Sequence, residues 1–126
     1  MLKGLLAALL MLAGMRSAAA ADAPLDAGQL LQRQQAGRAP LVLDVRGADE
    51  YRDGHIAGAL SIPVDSLAQR AGLLGVPRDS EIVVYCVSGK RAARAQETLV
   101  SLGYTHVRLL DGSLNTWRQR HLPLAH

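Results

Sequence analysis

The sequence is poor in several residue types, and each shortage excludes a class of structure or function. Its 126 residues include one cysteine, one tryptophan and no phenylalanine, and aromatic residues make up 3% of the chain. A single cysteine cannot form a disulfide within the chain. Nucleic-acid sites combine basic patches with aromatic side chains, so few aromatics and no lysine or arginine run make nucleic acid an unexpected partner. His55 has no second histidine or cysteine at ligand spacing, and we expect neither a metal nor an organic cofactor.

Residues 1–21 have the layout of a secretory signal peptide. A basic start ending at Lys3 precedes an apolar run over residues 4–15 and a small-residue stretch that ends at Ala21. The run is shorter than the roughly twenty residues that cross a bilayer. It also lacks the alternating polar residues of a buried N-terminal helix. We therefore expect export, cleavage near Ala21 and no stable membrane anchor afterwards. Cleavage removes Lys3 and Arg16, which lowers the formal net charge by two from +3.

The lone cysteine, Cys86, is unusual in a chain that carries an export signal. Small exported domains commonly pair their cysteines, and an unpaired one indicates a reactive thiol or an intermolecular bond. The alternative is an inert buried cysteine that packs as a small hydrophobe. The neighbouring sequence argues against that alternative.

Residues 22–126 are enough for one domain, whose core we place at about residues 37–122. Short apolar runs that cannot face water alternate with helical segments, which predicts an α/β fold with a small parallel sheet flanked by helices. The strand order cannot be read from the pattern. The predicted strands cover residues 41–45, 59–62, 81–85 and 107–110, and the predicted helices cover residues 26–35, 48–53, 65–71 and 90–102, with a last helix that carries Trp117.

Cys86 directly follows the predicted strand 81–85 and precedes a tight loop and a helix. Ligands of open parallel sheets bind beyond the carboxyl ends of the strands. Successive N–H groups in the loop 87–91 can form an anion-binding nest, and the following helix directs its positive dipole end the same way. Such surroundings favour the thiolate form of a cysteine. The segment therefore predicts a thiolate nucleophile beside an anion pocket.

Two cations, Lys90 and Arg91, lie in the first turn of the predicted helix, where they oppose the helix dipole. A local rule broken without local gain marks a functional site; the alternative is a pair of solvated surface cations. Cysteine phosphatases separate their cysteine and arginine by five residues, whereas four separate Cys86 from Arg91. The shorter loop disfavours phosphate and suits a smaller group on the cysteine, such as one extra sulfur atom.

Four segments, in order along the chain, resemble the motifs of the rhodanese-like sulfurtransferase family. They are Asp44-Val45-Arg46 with Glu50-Tyr51, the stretch 54–59 with Ile62-Pro63, the loop 85–92, and Leu110-Asp111-Gly112 through Trp117. The predicted signal peptide and single domain are most similar to the small single-domain periplasmic thiosulfate sulfurtransferases of Gram-negative bacteria. The resemblance therefore implies a rhodanese-like fold and a periplasmic location.

The resemblance also implies a reaction. The Cys86 thiolate would attack the outer sulfur of thiosulfate, sulfite would leave, and cyanide or a thiol acceptor would take the sulfur from the Cys86 persulfide. Arg91 and Lys90 would steer the anionic donor and stabilise sulfite. One nucleophile with no evident base fits such a two-step transfer. In the family, loop N–H groups hold the persulfide, which makes the expected substrate-binding residues Val87, Ser88, Gly89, Lys90, Arg91 and Ala92.

The chain departs from the family pattern at Ser113, where a second glycine is usual, and at Gly47, where a capping Ser or Thr is common. Among the other polar residues, we expect His55 to make a structural hydrogen bond and Asp44 to bind loop N–H groups or Arg46. The i,i+4 spacing of Arg46 and Glu50 predicts an ion pair. Trp117 is interpreted as core packing.

Two further activities fit parts of the sequence. A non-enzymatic persulfide carrier or interaction module would use Cys86 and the same loop, and the sequence does not separate it from an enzyme. A thiol oxidoreductase usually needs a resolving cysteine, which this chain lacks.

Overall fold

A four-stranded parallel sheet forms the centre of the molecule in a computed structural model that describes residues 22–126. The predicted signal peptide and its cleavage site lie outside the described residues. The strands are β1 (Leu41–Asp44), β2 (Leu60–Ser61), β3 (Glu81–Tyr85) and β4 (His106–Leu109). Their order across the sheet is β2-β1-β3-β4, and every neighbouring pair is parallel. The predicted α/β class and parallel sheet are confirmed.

Within residues 22–126, five α-helices connect and cover the strands. They are α1 (Ala27–Gln35), α2 (Ala48–Asp53), α3 (Leu67–Arg70), α4 (Lys90–Ser101) and α5 (Ser113–Gln119). Asp26 caps α1, because its carboxylate accepts the Gln29 N–H. The helix predicted over residues 65–71 is present, but only Leu67–Arg70 is α-helical. Short 3-10 turns at Val64–Ser66 and Ala71–Leu74 flank a four-residue α3, since the segment is short and includes Gly72, which disfavours helix propagation.

The sheet is buried on both faces. Ile82 and Val84 pack on the side covered by α3 and α4, where Ala92, Ala95 and Leu99 form the inner face of α4. On the other side lie Val83, Tyr85 and the inner residues of α1 and α5, including a fully buried Trp117. Helices on both faces explain why β1 and β3 are apolar runs without alternation. They also confirm the interpretation of Trp117 as core.

Both ends of the described chain are attached to this body. Leu25 is buried and bridges to Leu110 beside β4, while Arg108 donates to the carbonyl groups of Ala23 and Pro24. The C-terminal segment returns to form a two-way backbone bridge between Ala125 and His55. Within residues 22–126, no helix is long and apolar enough to span a membrane.

Candidate active site

The Cys86 sulfur lies in a turn of backbone N–H groups at the carboxyl end of β3. Its Sγ accepts the Gly89 N–H at 3.0 Å and the Ala92 N–H at 3.4 Å. Gly89 has a φ of 114°, a left-handed conformation that glycine adopts without strain. Cys86 is only 1% exposed. The two N–H groups direct their partial positive charges at the sulfur, and this stabilises a negative charge on it.

The other expected site residues lie around this sulfur in the loop and the first turn of α4. Ala92 is buried, Val87, Gly89 and Arg91 are partly buried, and Ser88 and Lys90 are exposed. The structure therefore brings Cys86 and the expected substrate-binding residues together at one edge of the sheet. Within residues 22–126, Lys90 makes no ion pair within 4.0 Å.

The first turn of α5 holds the beginning of the loop through two backbone hydrogen bonds. The N–H groups of Leu114 and Asn115 donate to the carbonyl oxygens of Cys86 and Val87, both at 3.0 Å. These donors belong to the first turn of a helix and have no partner within it. The loop carbonyls supply the missing acceptors, so one contact satisfies the helix and fixes the loop. This contact was not predicted, because it joins two segments that are remote in the sequence, and the turn before α5 indicates only that a helix begins there.

Two consecutive residues at the start of α5, the N-cap Gly112 and the first helical residue Ser113, have positive φ. Gly112 has a φ of 75°, and a Cβ there would overlap the Thr116 side chain, so the position requires glycine. Ser113 has a φ of 49°, is 1% exposed, and accepts the Cys86 N–H on its Oγ at 3.3 Å. The departure from the family pattern at residue 113 is thus accommodated in the left-handed conformation.

Arg91 is held by a carboxylate from α2. Its two terminal nitrogens donate to the Glu50 carboxylate at 2.8 and 3.1 Å, and Glu50 Oε1 also accepts the Gly47 N–H at 3.0 Å. The hydrogen bond from Arg91, followed by the one from Gly47, lowers the pKa of Glu50 from 4.5 to about 2. The same bond raises the pKa of Arg91, with a smaller contribution from the charges of Cys86 and Asp44. The carboxylate therefore fixes the guanidinium beside the loop.

The predicted ion pair between Arg46 and Glu50 is wrong. Arg46 precedes α2 and turns inward to Asp44, whose carboxylate accepts the Arg46 side chain at 2.7 to 3.1 Å and the Arg46 backbone N–H at 2.9 Å. Because Arg46 lies outside the helix, the i,i+4 geometry does not apply to it. The structural role predicted for Asp44 is confirmed.

Tyr85 joins the same buried network. Its hydroxyl donates to Asp44 at 2.7 Å and accepts the Ile56 N–H at 3.0 Å, while Arg46 also donates to the Gly54 carbonyl at 2.8 Å. Burial, followed by the hydrogen bond to Asp44, raises the pKa of the Tyr85 phenol well above its usual range. The network ties the ends of β1 and β3, directly before Cys86, to the segment 54–56. The role of Tyr85 was not predicted, because its position in an apolar strand indicates core packing and not a hydrogen-bonded hydroxyl.

The remaining candidates have structural contacts. The His55 ring hydrogen-bonds the Tyr51 carbonyl through Nδ1 at 2.8 Å and stacks on the Tyr51 ring at 3.7 Å, which confirms its predicted structural role. In the part of the chain that the structure describes, no three His, Cys, Asp or Glu side chains are placed to hold a metal ion.

Comparisons with known proteins point to one family. The family profile described as "Rhodanese-like domain" matches residues 26–120. The chain is 33% identical over 70 residues to the thiosulfate sulfurtransferase PspE of Escherichia coli K12, covering 56% of this chain and 67% of that protein. It is 32% identical over 101 residues to a sulfurtransferase of Allochromatium vinosum, covering 80% of this chain and 92% of that protein.

Solved structures give the same result for the fold. The Alr3790 protein of Anabaena sp. superposes with a TM-score of 0.73 at 33% identity, over 80% of this chain and 90% of that one. A rhodanese-related protein of Thermoplasma volcanium superposes with a TM-score of 0.69 at 30% identity, over 82% of this chain and 98% of that one.

Proposed function

The chain belongs to the rhodanese-like domain family, and from that premise we propose that it is an exported thiosulfate sulfurtransferase that works through a Cys86 persulfide. Relatives named as sulfurtransferases support sulfur transfer as the general activity. Thiosulfate as donor, cyanide or a thiol as acceptor, and export are the proposed specifics. The observation that carries the proposal is the Cys86 sulfur, which accepts the Gly89 and Ala92 N–H groups beside two cations.

The first half-reaction loads the sulfur. The Cys86 thiolate attacks the outer sulfur of thiosulfate, a new S–S bond forms, and the S–S bond within thiosulfate breaks. Sulfite leaves with the bonding electron pair, so the negative charge on Cys86 moves to the outer sulfur of the persulfide. No proton is transferred, which fits a site where, within residues 22–126, only backbone N–H groups hydrogen-bond the sulfur. The loop N–H groups stabilise the anion before and after the step.

Arg91 supports the departure of sulfite in this proposal. One N–H of each terminal nitrogen is engaged by Glu50. Within residues 22–126 the Arg91 Nε–H donates to no group, so this edge of the guanidinium is available to an oxyanion. Lys90 adds a second positive charge at the exposed side of the loop. The two cations favour an anionic donor over a neutral one.

The second half-reaction discharges the persulfide. Cyanide, or the thiolate of an acceptor, attacks the outer sulfur, the Cys86–sulfur bond breaks, and the electron pair returns to Cys86 as thiolate. With cyanide the product is thiocyanate. No oxidant or reductant is consumed in either half-reaction.

Intact mass spectrometry tests the loading step directly. The purified protein is treated with thiosulfate, and we expect a gain of one sulfur atom that disappears on adding cyanide and is absent from Cys86→Ala. An unchanged mass in the native protein would overturn the proposal. Arg38→Ala is the control, because Arg38 is exposed before β1, at the opposite edge of the sheet.

Steady-state thiocyanate formation separates an enzyme from a persulfide carrier. We expect repeated turnover with thiosulfate and cyanide in the native protein and none in Cys86→Ala. Loading without repeated turnover would instead identify a non-enzymatic carrier.

Export is tested by expressing the whole chain in a Gram-negative host and separating the periplasm. We expect the periplasmic protein to have a mass that corresponds to a start at Asp22. A full-length protein retained in the cytoplasm would refute export without affecting the sulfur-transfer proposal.

A further inference from the structure

Ser113 combines three properties that seldom occur together in a residue without a role. It is 1% exposed, it has a left-handed φ of 49°, and it is a serine at the first position of α5. Left-handed backbone is strained for any residue with a Cβ. Such strain persists where the surrounding structure gains from it.

Its hydroxyl completes the hydrogen bonding of the catalytic cysteine's backbone. On the β4 side of β3, the Leu110 N–H donates to the Val84 carbonyl, and the Leu110 carbonyl accepts the Ser113 N–H at 2.9 Å. Cys86 therefore lies just beyond the strand ladder. Among the described residues, the acceptor for its N–H is Ser113 Oγ at 3.3 Å.

The same hydroxyl lies close to Gly89, where the loop turns. An ideal Cβ on Gly89 would be 3.9 Å from Ser113 Oγ, which is ordinary contact distance. Gly89 donates its N–H to Cys86 Sγ. Ser113 Oγ thus accepts the N–H of the residue that carries the sulfur, and it lies next to the position that a side chain on Gly89 would occupy.

We propose that Ser113 is a positioning residue for sulfur transfer, whose hydroxyl fixes the Cys86 peptide and thereby aims Sγ at the N–H groups of Gly89 and Ala92. The proposal rests on the proposed function of Cys86. Without the hydroxyl, the buried Cys86 N–H loses its acceptor, and a buried unpaired donor drives rotation of the peptide toward another partner. Rotation of that peptide turns the sulfur away from its donors.

Two variants separate the hydroxyl from the backbone conformation. Ser113→Ala removes Oγ and keeps the strained φ, whereas Ser113→Gly removes Oγ and suits a φ of 49°. We expect single-turnover loading from thiosulfate to slow by about three- to tenfold in both variants, the loss of one net hydrogen bond. The concentration of thiosulfate that gives half-maximal loading should not change, because Ser113 does not touch the donor. Wild-type loading by Ser113→Gly would overturn the proposal.

A matched core variant controls for stability. Val107→Ala creates a cavity in β4 on the side of the sheet that α3 and α4 cover, and all variants are compared at a temperature where each is fully folded. We expect Val107→Ala to load at the wild-type rate. If it slows as much as Ser113→Ala, the effect is one of stability and the positioning role is refuted.

Alkylation of Cys86 by iodoacetamide gives a readout that needs no sulfur donor. We expect both Ser113 variants to be alkylated at least about threefold more slowly than the native protein. Alkylation at the native rate would refute the positioning role. If the native protein fails to load from thiosulfate but the variants are alkylated more slowly, the proposed function fails, while the result still shows that Ser113 positions the Cys86 sulfur.

Discussion

Replacing Glu50 by glutamine tests how strongly the carboxylate holds Arg91. The substitution removes the charge and retains an oxygen that can accept the Gly47 N–H and one N–H of Arg91. The pKa of Glu50 is lowered from 4.5 to about 2, a shift equivalent to about 3 kcal/mol. The Glu50 side chain is 40% exposed, and solvent screening of such pairs reduces the net contribution to about 1 kcal/mol.

The effect has a defined dependence on pH. Because the pKa of Glu50 is lower in the folded protein than in the unfolded chain, its stabilisation is complete above pH 4.5 and is lost as the pH falls toward about 2. We therefore expect Glu50→Gln to be less stable than the native protein by about 1 kcal/mol at pH 7. The difference should shrink steadily below pH 4.5.

Urea unfolding at several pH values between 7 and 2.5 measures this difference. Glu97→Gln is the matched control, since Glu97 is exposed on α4 and makes no ion pair within residues 22–126. We expect the control to change the free energy of unfolding by less than about 0.5 kcal/mol. A difference for Glu50→Gln that stays constant from pH 7 to pH 2.5 would refute the assignment of the stabilisation to the ionised carboxylate.

Three other substitutions have definite expected outcomes. Gly112→Ala should lower the free energy of unfolding by about 2–4 kcal/mol, because the new Cβ overlaps Thr116 at a left-handed φ. Adding Thr116→Ala should restore part of the lost stability. A double variant that is no more stable than Gly112→Ala would contradict the overlap. Tyr85→Phe should cost about 2 kcal/mol in urea unfolding, since it leaves the buried Ile56 N–H unpaired, and an unchanged midpoint would contradict the network. Arg91→Ala should slow loading from thiosulfate by at least about tenfold in stopped-flow assays, with Arg38→Ala unchanged. Equal loading rates in these two variants would exclude a role for Arg91.

Local pattern is enough to predict most of the secondary structure. The strand at Glu81–Tyr85 and the helix at Lys90–Ser101 lie within one residue of their predicted bounds. Each has a regular pattern of apolar residues and is followed by a clear turn signal. The helix predicted over residues 65–71 is α-helical only at Leu67–Arg70, because a segment of that length depends on its tertiary contacts rather than on propensity. Strand order depends on which chain segments meet across the sheet and has no local signal.

The candidate site also has one part that can be predicted from the sequence and one part that cannot. The sulfur, its loop and the following helix are contiguous, so the sequence predicts them together. The groups that hold them are remote: Glu50 is 41 residues from Arg91, and Ser113 is 27 residues from Cys86. The i,i+4 rule therefore supplied the wrong partner for Glu50. Contacts at such separations follow from sheet topology, which brings the segment after β1 and the segment after β4 to the same edge as Cys86.

The local conflict at the start of α4 has a physical explanation in the sulfur itself. Gly89 is the N-cap of this helix and has no side chain to accept its first N–H groups, and the first turn carries two cations and no acid. Cys86 Sγ accepts the Ala92 N–H, the third of the helix, which is the bond that a serine or aspartate cap would make. A negative sulfur at that point offsets the repulsion between Lys90, Arg91 and the helix dipole. In the proposed cycle the charge moves between the cysteine sulfur and the persulfide sulfur and never leaves the helix terminus. The helix is therefore capped by its own reaction centre in both half-reactions, and a capping side chain at residue 89 would compete with the sulfur for the same donors.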